Sequence, residues 1–255
     1  MTLIESLRYN KFMDWLRGDV RSIKARFFRI PLEHLEFFLF YRLWGKTYTE
    51  FYSVRMGRQV QKAQNKPITP GYFESAAYHL DYLKSKGMLP HHRFLDYGCG
   101  LMRTGVAIMG YLEKKKYVGV DISEERFRRG APVAAQHGFG PDHYTNIRIS
   151  NCDNPELKGM TFDIIWSHDV FCHMPPEDCR VALKTLRDCL ADDGQFFMTY
   201  SEEDRYRRGR FKDFWFTREQ ARTMCEDAGY RFEIMTDWRK FQPDQVMVRL
   251  TKAAA

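Results

Sequence analysis

The chain has 255 residues, of which 44% are hydrophobic and 29% are charged, with a formal net charge of +7. That size and apolar content suit one α/β domain with an extension. Residues 1–62 hold 12 Lys or Arg against 6 Asp or Glu, and the rest of the chain holds 28 against 27, so the nearly neutral remainder carries no strong signal of nucleic-acid binding.

Cysteine spacing and apolar runs narrow the protein class further. The six cysteines form no Cys-x-x-Cys pair, which argues against a zinc knuckle or a disulfide framework and indicates reduced thiols. We find no secretory signal at residues 1–10, and the most apolar run, residues 35–44, is too short to span a bilayer. We therefore expect a cytoplasmic protein.

Residues 1–62 are predicted to be helical and amphipathic. One interpretation is a helical cap that roofs the crevice of the following domain. The other is peripheral contact with the inner face of an anionic membrane, because basic residues alternate with Phe27 and Phe28. A Pro- and Gly-rich hinge at residues 65–71 separates this extension, residues 1–70, from a domain of residues 71–255.

Strands and helices alternate in the second domain. Predicted helices span residues 72–87, 105–113, 124–137, 176–190 and 217–227. Predicted strands span residues 93–96, 117–121, 147–150, 162–168, 195–200, 231–237 and 245–252. This alternation predicts an α/β fold, with a mostly parallel sheet covered by helices on both faces.

The first strand leads into a glycine turn. Asp96 ends the strand, and Gly98 and Gly100 allow a tight turn and close approach of a ligand to the backbone. A dinucleotide-binding turn would carry glycine or alanine at position 103, where this chain has Arg103, so a pyrophosphate site is not favoured. The second strand ends at Asp121, near the spacing at which such folds place a carboxylate over a ribose.

With these two motifs the sequence resembles the class I S-adenosylmethionine (SAM)-dependent methyltransferases. Later segments extend the resemblance from about Gly71 to Lys252; these are residues 151–153, 162–175, 190–200, 216–220 and 228–230. The resemblance implies a Rossmann-like, seven-stranded sheet whose last strand is inserted antiparallel, and SAM as cofactor. Met102 departs from the pattern, because many relatives carry a third glycine there.

The resemblance also implies a set of cofactor-binding positions. Cys152 and Asp153 match the segment that meets the adenine, and Arg103 is a candidate partner for the methionine carboxylate of the cofactor. The residues expected to bind the cofactor are Asp96, Gly98, Cys99, Gly100, Arg103, Asp121, Ile122, Cys152, Asp153 and Ser167.

Residues near the end of the fourth strand are the candidates for chemistry. His168, Asp169 and His173 are the catalytic candidates, because a histidine can act as a general base near neutral pH. His173 matches a histidine that is structural in many members of the family. The same three side chains could bind a metal, but we find no further acidic ligands and predict no metal site. As substrate walls we expect Phe171, Tyr200 and Trp215.

The charged segment 202–213 has two interpretations, a solvated loop or a lid that pairs with an anionic substrate. The lid would use Arg205, Tyr206, Arg207 and Arg210.

The leading functional hypothesis is a SAM-dependent methyltransferase acting on a small molecule or glycan, at oxygen, because Ser167-His-Asp-Val170 lacks the Pro-Pro pair of nucleobase amino methyltransferases. The alternatives are an RNA or protein methyltransferase that docks through residues 1–62, and a non-catalytic protein of this fold. The sequence makes no prediction of the oligomeric state.

Overall fold

The computed structural model describes residues 39, 45, 47–62, 73–209 and 212–254. The chain divides into two compact units, Met1–Phe51 and Tyr52–Ala255. The predicted hinge at 65–71, Arg210 of the predicted lid, and most of the segment predicted to contact a membrane lie outside the described residues. In the described ranges no helix is both long and apolar enough to cross a bilayer.

The second unit is built on one sheet with helices packed against it. Helix α1 (Tyr48–Lys62) begins in the first unit and continues into the second. The other helices of the second unit are α2 (Glu74–Ser85), α3 (Arg103–Tyr111), α4 (Glu124–Gln136), α5 (Pro176–Cys189) and α6 (Arg218–Asp227). The strands are β1 (Phe94–Tyr97), β2 (Tyr117–Asp121), β3 (Tyr144–Arg148), β4 (Phe162–Ser167), β5 (Leu190–Glu202), β6 (Arg207–Gly209), β7 (Asp213–Phe216), β8 (Tyr230–Ile234) and β9 (Gln245–Lys252).

Strands β3, β2, β1, β4 and β5 run in that order and pair in parallel. Strand β9 then pairs antiparallel with β5 and with β8, which confirms the inserted last strand that the family resemblance implied. The carboxyl ends of β1, β2 and β4 consequently meet at one edge, the position at which open α/β sheets bind ligands.

The described sheet has nine strands rather than the predicted seven. The additional pair is an antiparallel hairpin of β6 and β7, in which β7 also pairs in parallel with Ser201 and Glu202 of β5. Phe214 and Phe216 are each 1% exposed and alternate with half-buried residues, so β7 follows the two-residue period of a strand with one buried face. The charged segment is therefore in part a hairpin that belongs to the sheet.

The core lies along the central strands. All four residues of β1 are buried, and Ile165, Phe196 and Phe197 have no exposed surface, as expected for parallel strands covered on both faces. Strand β5 begins at Leu190, five residues before the predicted strand at 195–200, and its register with β4 shifts between Phe162 and Ile164. Phe162 pairs with Leu190 and Ile164 with Gln195, so the irregularity accommodates the additional residues of β5 between these two pairs.

Side chains cap the N-termini of α1 and α6, the first and last α-helices that the structure describes. Glu50 N donates to Thr47 Oγ1 (3.2 Å) and Thr47 N donates to Glu50 Oε2 (2.8 Å) at the start of α1. The Thr217 and Gln220 pair repeats this arrangement at α6. Both pairs are capping boxes that satisfy N–H groups left without partners in the first helical turn.

Candidate functional site

The turn between β1 and α3 has the backbone that its glycines predict. Gly98 and Gly100 have φ of +83° and +59°, a region that favours glycine. A Cβ at Gly98 would lie 2.2 Å from Cγ2 of Val170, in the loop after β4. The turn therefore passes close to that loop, and this close approach depends on the missing side chain.

Met102 adopts the left-handed conformation that a third glycine would adopt, with φ of +58°. Its side chain is fully buried, and Gly130 on α4 leaves room for it, because a Cβ there would lie 3.1 Å from Met102 Cε. The left-handed backbone costs roughly 1–2 kcal/mol, whereas burying a methionine side chain contributes about 1.5–3 kcal/mol. Burial thus offsets the strain.

Asp121, at the end of β2, faces this turn. Its Oδ2 accepts from Gly100 N (3.0 Å) and lies 3.4 Å from Nη1 of Arg126, while Oδ1 accepts from Ser123 N (2.9 Å). Burial raises the pKa of this carboxyl, and Arg126 and the backbone N–H groups act in the opposite direction. The result is an oriented acceptor beside the glycine turn.

Asp96, at the end of β1, is the second buried acid of this edge. Tyr117 donates its hydroxyl proton to Asp96 Oδ2 (2.7 Å). Burial raises the pKa of Asp96 to about 7, against the effect of the Tyr117 hydrogen bond and of the positive charge of Arg103 at the start of α3. The structure thus brings Asp96, Arg103 and Asp121 to the same edge of the sheet.

The segment after β3 forms a turn that is hydrogen-bonded to the last residue of β1. Cys152 is half-buried and Asp153 is exposed. Asn154 has φ of +45° and donates from Nδ2 to the Cys152 carbonyl (2.9 Å), while Tyr97 donates its hydroxyl to Asn154 Oδ1 (3.2 Å). Asn154 therefore shapes this turn and was not among the predicted site residues.

Two α1 residues that belong to the second unit contact segments just after β2 and β4. Ser53 Oγ donates to the backbone carbonyl of Ile122 (3.0 Å), just after β2. The ring of Tyr52 stacks on His173, after β4, with centroids 5.8 Å apart and planes 28° from parallel. The residues that follow Phe51 in α1 thus extend across the edge where β2 and β4 end.

The loop after β4 holds Ser167, His168 and Asp169. Ser167 is fully buried, and its hydroxyl has no hydrogen-bond partner among the residues that the structure describes. The His168 side chain is 6% exposed and that of Asp169 is 32% exposed. Asp169 has φ of +58°, and its N–H donates to Thr199 Oγ1 (2.9 Å). A left-handed, non-glycine residue that is held by its surroundings is typical of functional sites.

His79, on α2, pairs with His168 and was not predicted as a site residue. Its ring centroid lies 4.6 Å from that of His168, and its Nδ1 is 2.8 Å from Thr104 Oγ1 on α3. Burial lowers the pKa of His79 to about 2, with smaller effects of His168 and Arg103. Burial also lowers the pKa of His168 to about 4, although Asp169 acts in the opposite direction. Both rings are neutral at neutral pH.

His173 is in the opposite charge state. Its Nδ1 lies 2.9 Å from the Lys212 carbonyl and 3.1 Å from Asp213 Oδ1, both at the start of β7. Burial acts to lower its pKa, but hydrogen bonds from His173, led by that to Asp213, raise it to about 10. A protonated imidazole has no lone pair with which to accept a proton. This geometry suits a residue that ties the hairpin to the loop after β4.

The predicted substrate walls divide into two kinds. Phe171 and Tyr200 are each 1% exposed and belong to the core, so the prediction for them is wrong. Trp215 is half-buried and lies under the guanidinium of Arg207, 3.5 Å from the ring centroid. Across the described parts of the chain, no group of three or more His, Cys, Asp or Glu residues could hold a metal ion.

Residues 95–196 match the protein family described as "Methyltransferase domain". Among solved structures, the fold resembles magnesium protoporphyrin IX methyltransferase from Synechocystis PCC 6803 with bound SAM, at 14% identity and a TM-score of 0.63 over 82% of this chain and 98% of that chain. It also resembles 1,6-didemethyltoxoflavin-N1-methyltransferase from Burkholderia thailandensis, at 18% identity and a TM-score of 0.57 over 81% and 87% of the two chains. A third similar structure is the CcbJ methyltransferase from Streptomyces caelestis, at 15% identity and a TM-score of 0.57 over 76% and 96%.

Proposed function

The chain carries a methyltransferase domain of the class I, Rossmann-like type, and on that premise we propose that it transfers the methyl group of SAM to a hydroxyl oxygen of a small molecule or glycan. The observation that carries the proposal is the buried carboxylate of Asp121 beside the glycine turn, together with the half-buried carboxylate of Asp169 after β4. The carboxylate of Asp121 can accept hydrogen bonds from ribose hydroxyls, and the carboxylate of Asp169 can receive the proton of an acceptor hydroxyl.

The residues of the crevice fit the cofactor. The turn at Gly98 approaches the loop after β4 so closely that a Cβ would clash with Val170, and Asp121 offers the acceptor oxygens that ribose hydroxyls require. We propose Arg103 for the carboxylate of the methionine part, and Cys152 and Asp153 for the adenine. The remaining proposed contacts are Asp96, Cys99, Ile122 and Ser167.

When bound, the cofactor supplies an electrophilic methyl group, so the protein has to align the acceptor and receive its proton. Of the three catalytic candidates, Asp169 and the neutral His168 can accept a proton. His173 is protonated near neutral pH, and we propose that it positions the hairpin.

Two similar structures support a small-molecule acceptor, because their names specify magnesium protoporphyrin IX and 1,6-didemethyltoxoflavin as the methylated compounds. The alternatives that depend on residues 1–62, docking of RNA or protein and membrane contact, rest mainly on residues outside the described part of the chain. A cytoplasmic location remains a prediction.

The proposal is tested by incubating the full chain with methyl-labelled SAM and a panel of hydroxylated metabolites and oligosaccharides. We expect label in at least one acceptor, on oxygen when the product is analysed by NMR. An Asp121→Ala variant is the control for cofactor-dependent labelling. Label found only on nitrogen or carbon, or only in RNA or protein, would refute the proposed acceptor class.

A further inference from the structure

The side-chain amide of Gln245 connects the loop after β4 to the last strand. Gln245 begins β9 and is 2% exposed. Its Oε1 lies 3.1 Å from Trp238 Nε1 and 3.3 Å from the backbone N of Phe241. An indole N–H and a backbone N–H only donate, so the amide oxygen has to face them. The orientation of the amide therefore follows from its partners.

The amide nitrogen points to the other side, toward the loop after β4. It donates to Asp169 Oδ1 (2.7 Å) and lies 3.3 Å from His168 Nε2. Because an amide NH2 group only donates, His168 Nε2 has to be the acceptor in this pair. A neutral imidazole carries one proton, so the proton of His168 is on Nδ1, which lies 3.4 Å from Asp169 Oδ2.

Asp169 is the member of this network that reaches the surface. Its side chain is 32% exposed, against 6% for His168. Its Oδ1 is engaged by Gln245, and its N–H is bound by Thr199 on β5. Its Oδ2 lies 3.4 Å from His168 Nδ1, a nitrogen with no hydrogen-bond partner among the described residues, so Oδ2 is the carboxylate oxygen that no described side chain engages in a hydrogen bond.

We propose that Gln245 is a positioning residue, which fixes His168 in the Nδ1–H form and holds Asp169 so that Asp169 Oδ2 receives the proton of the acceptor hydroxyl. The inference rests on the proposed function. As the acceptor oxygen bonds to the methyl carbon, the C–S electron pair stays on sulfur, which becomes a neutral thioether, and the O–H bond breaks. The proton passes to Asp169 and from there to solvent. A carboxylate suffices as base because the hydroxyl becomes strongly acidic as its oxygen is alkylated.

The tautomer of His168 can be measured without any acceptor, by long-range 15N–1H NMR of histidine rings in the full chain, with the signal assigned by its loss in His168→Asn. We expect a neutral Nδ1–H ring in the wild type at pH 7. A carboxylate only accepts, so in Gln245→Glu the ring should become protonated on Nε2. Gln242→Glu, which adds the same charge at an exposed position three residues earlier, should leave the signal unchanged.

A wild-type ring protonated on Nε2 would overturn the inference, as would a Gln245→Glu spectrum identical to the wild type. The wild-type measurement stands even if Gln245→Glu does not fold. Once an acceptor is known, Gln245→Leu should lower kcat about 10- to 100-fold with little change in the KM for SAM, the result expected when a reacting group is misplaced. A fall in kcat accompanied by a similar rise in the KM for SAM would indicate a merely structural role of Gln245.

Failure of the proposed function has a different signature. If the wild type shows no SAM binding by calorimetry, the methyltransferase proposal fails, whatever the tautomer of His168. If SAM binds and Gln245→Leu binds it equally well while the predicted tautomer is absent, only the role of Gln245 fails.

Discussion

Replacing Gly98 by alanine tests the geometry of the cofactor turn. Two costs are expected. A non-glycine residue at φ of +83° costs roughly 1–2 kcal/mol. The new Cβ would lie 2.2 Å from Val170 Cγ2, and relieving such overpacking costs about 1–3 kcal/mol. Together they predict a loss of roughly 2–5 kcal/mol in the free energy of unfolding.

Gly138 provides the matched control, because its φ is +85° and a Cβ there would meet nothing within 4 Å. Gly138→Ala should therefore show the backbone cost alone. Urea denaturation of both variants, and of Gly98→Ala in a Val170→Ala background, separates the two costs in a double-mutant cycle. Val170→Ala should recover the part caused by the clash. Equal losses in Gly98→Ala and Gly138→Ala, without recovery, would refute the close approach of the two loops.

The buried histidines and the hairpin give two further predictions. The pKa values of His79 and His168 lie below the ordinary value, near 2 and 4. Because the unfolded chain therefore binds more protons than the folded chain, acidification from pH 7 to 5 should lower the free energy of unfolding by about 2 kcal/mol for each histidine. His79→Phe should reduce this loss by about that amount in urea titrations at the two pH values, and an unchanged pH dependence would show that His79 is not buried in its neutral form. His173→Gln removes the charged contact to Asp213, so amide hydrogen exchange in β6 and β7 should be faster than in the wild type, while exchange in β1 is unchanged. Unchanged exchange in β6 and β7, or an equal acceleration in all three strands, would contradict the role of His173.

The sequence predicted those parts of the fold that depend on short stretches of adjacent residues. The glycine turn, the two acids that end β1 and β2, and the alternation of strands and helices are each contained in a few adjacent residues. The antiparallel β9 came from the family resemblance rather than from any pattern within one segment. The turn at Met102 forms despite its missing glycine because the side chain finds a buried position, which depends on Gly130.

Other parts depend on contacts that sequence patterns do not contain. The charges of segment 202–213 concealed the hairpin, although the alternation in Asp213–Phe216 was a signal for β7. The environment of His168 is completed by His79 and Gln245, which belong to other elements of the fold. The charge state of His173 likewise depends on Asp213. For this reason the sequence located the catalytic candidates but did not separate their roles.

Calorimetric titration of the full chain with SAM tests the cofactor site most directly. We expect binding by the wild type that weakens about 10- to 100-fold in Asp121→Asn, because a charged acceptor of hydrogen bonds is lost. Asp142→Asn, at an exposed carboxylate paired with Lys114, is the matched control and should bind as the wild type does. Thermal unfolding of each variant shows whether the fold is retained. Undiminished binding by a folded Asp121→Asn variant, or no binding by the wild type, would contradict the proposed cofactor site.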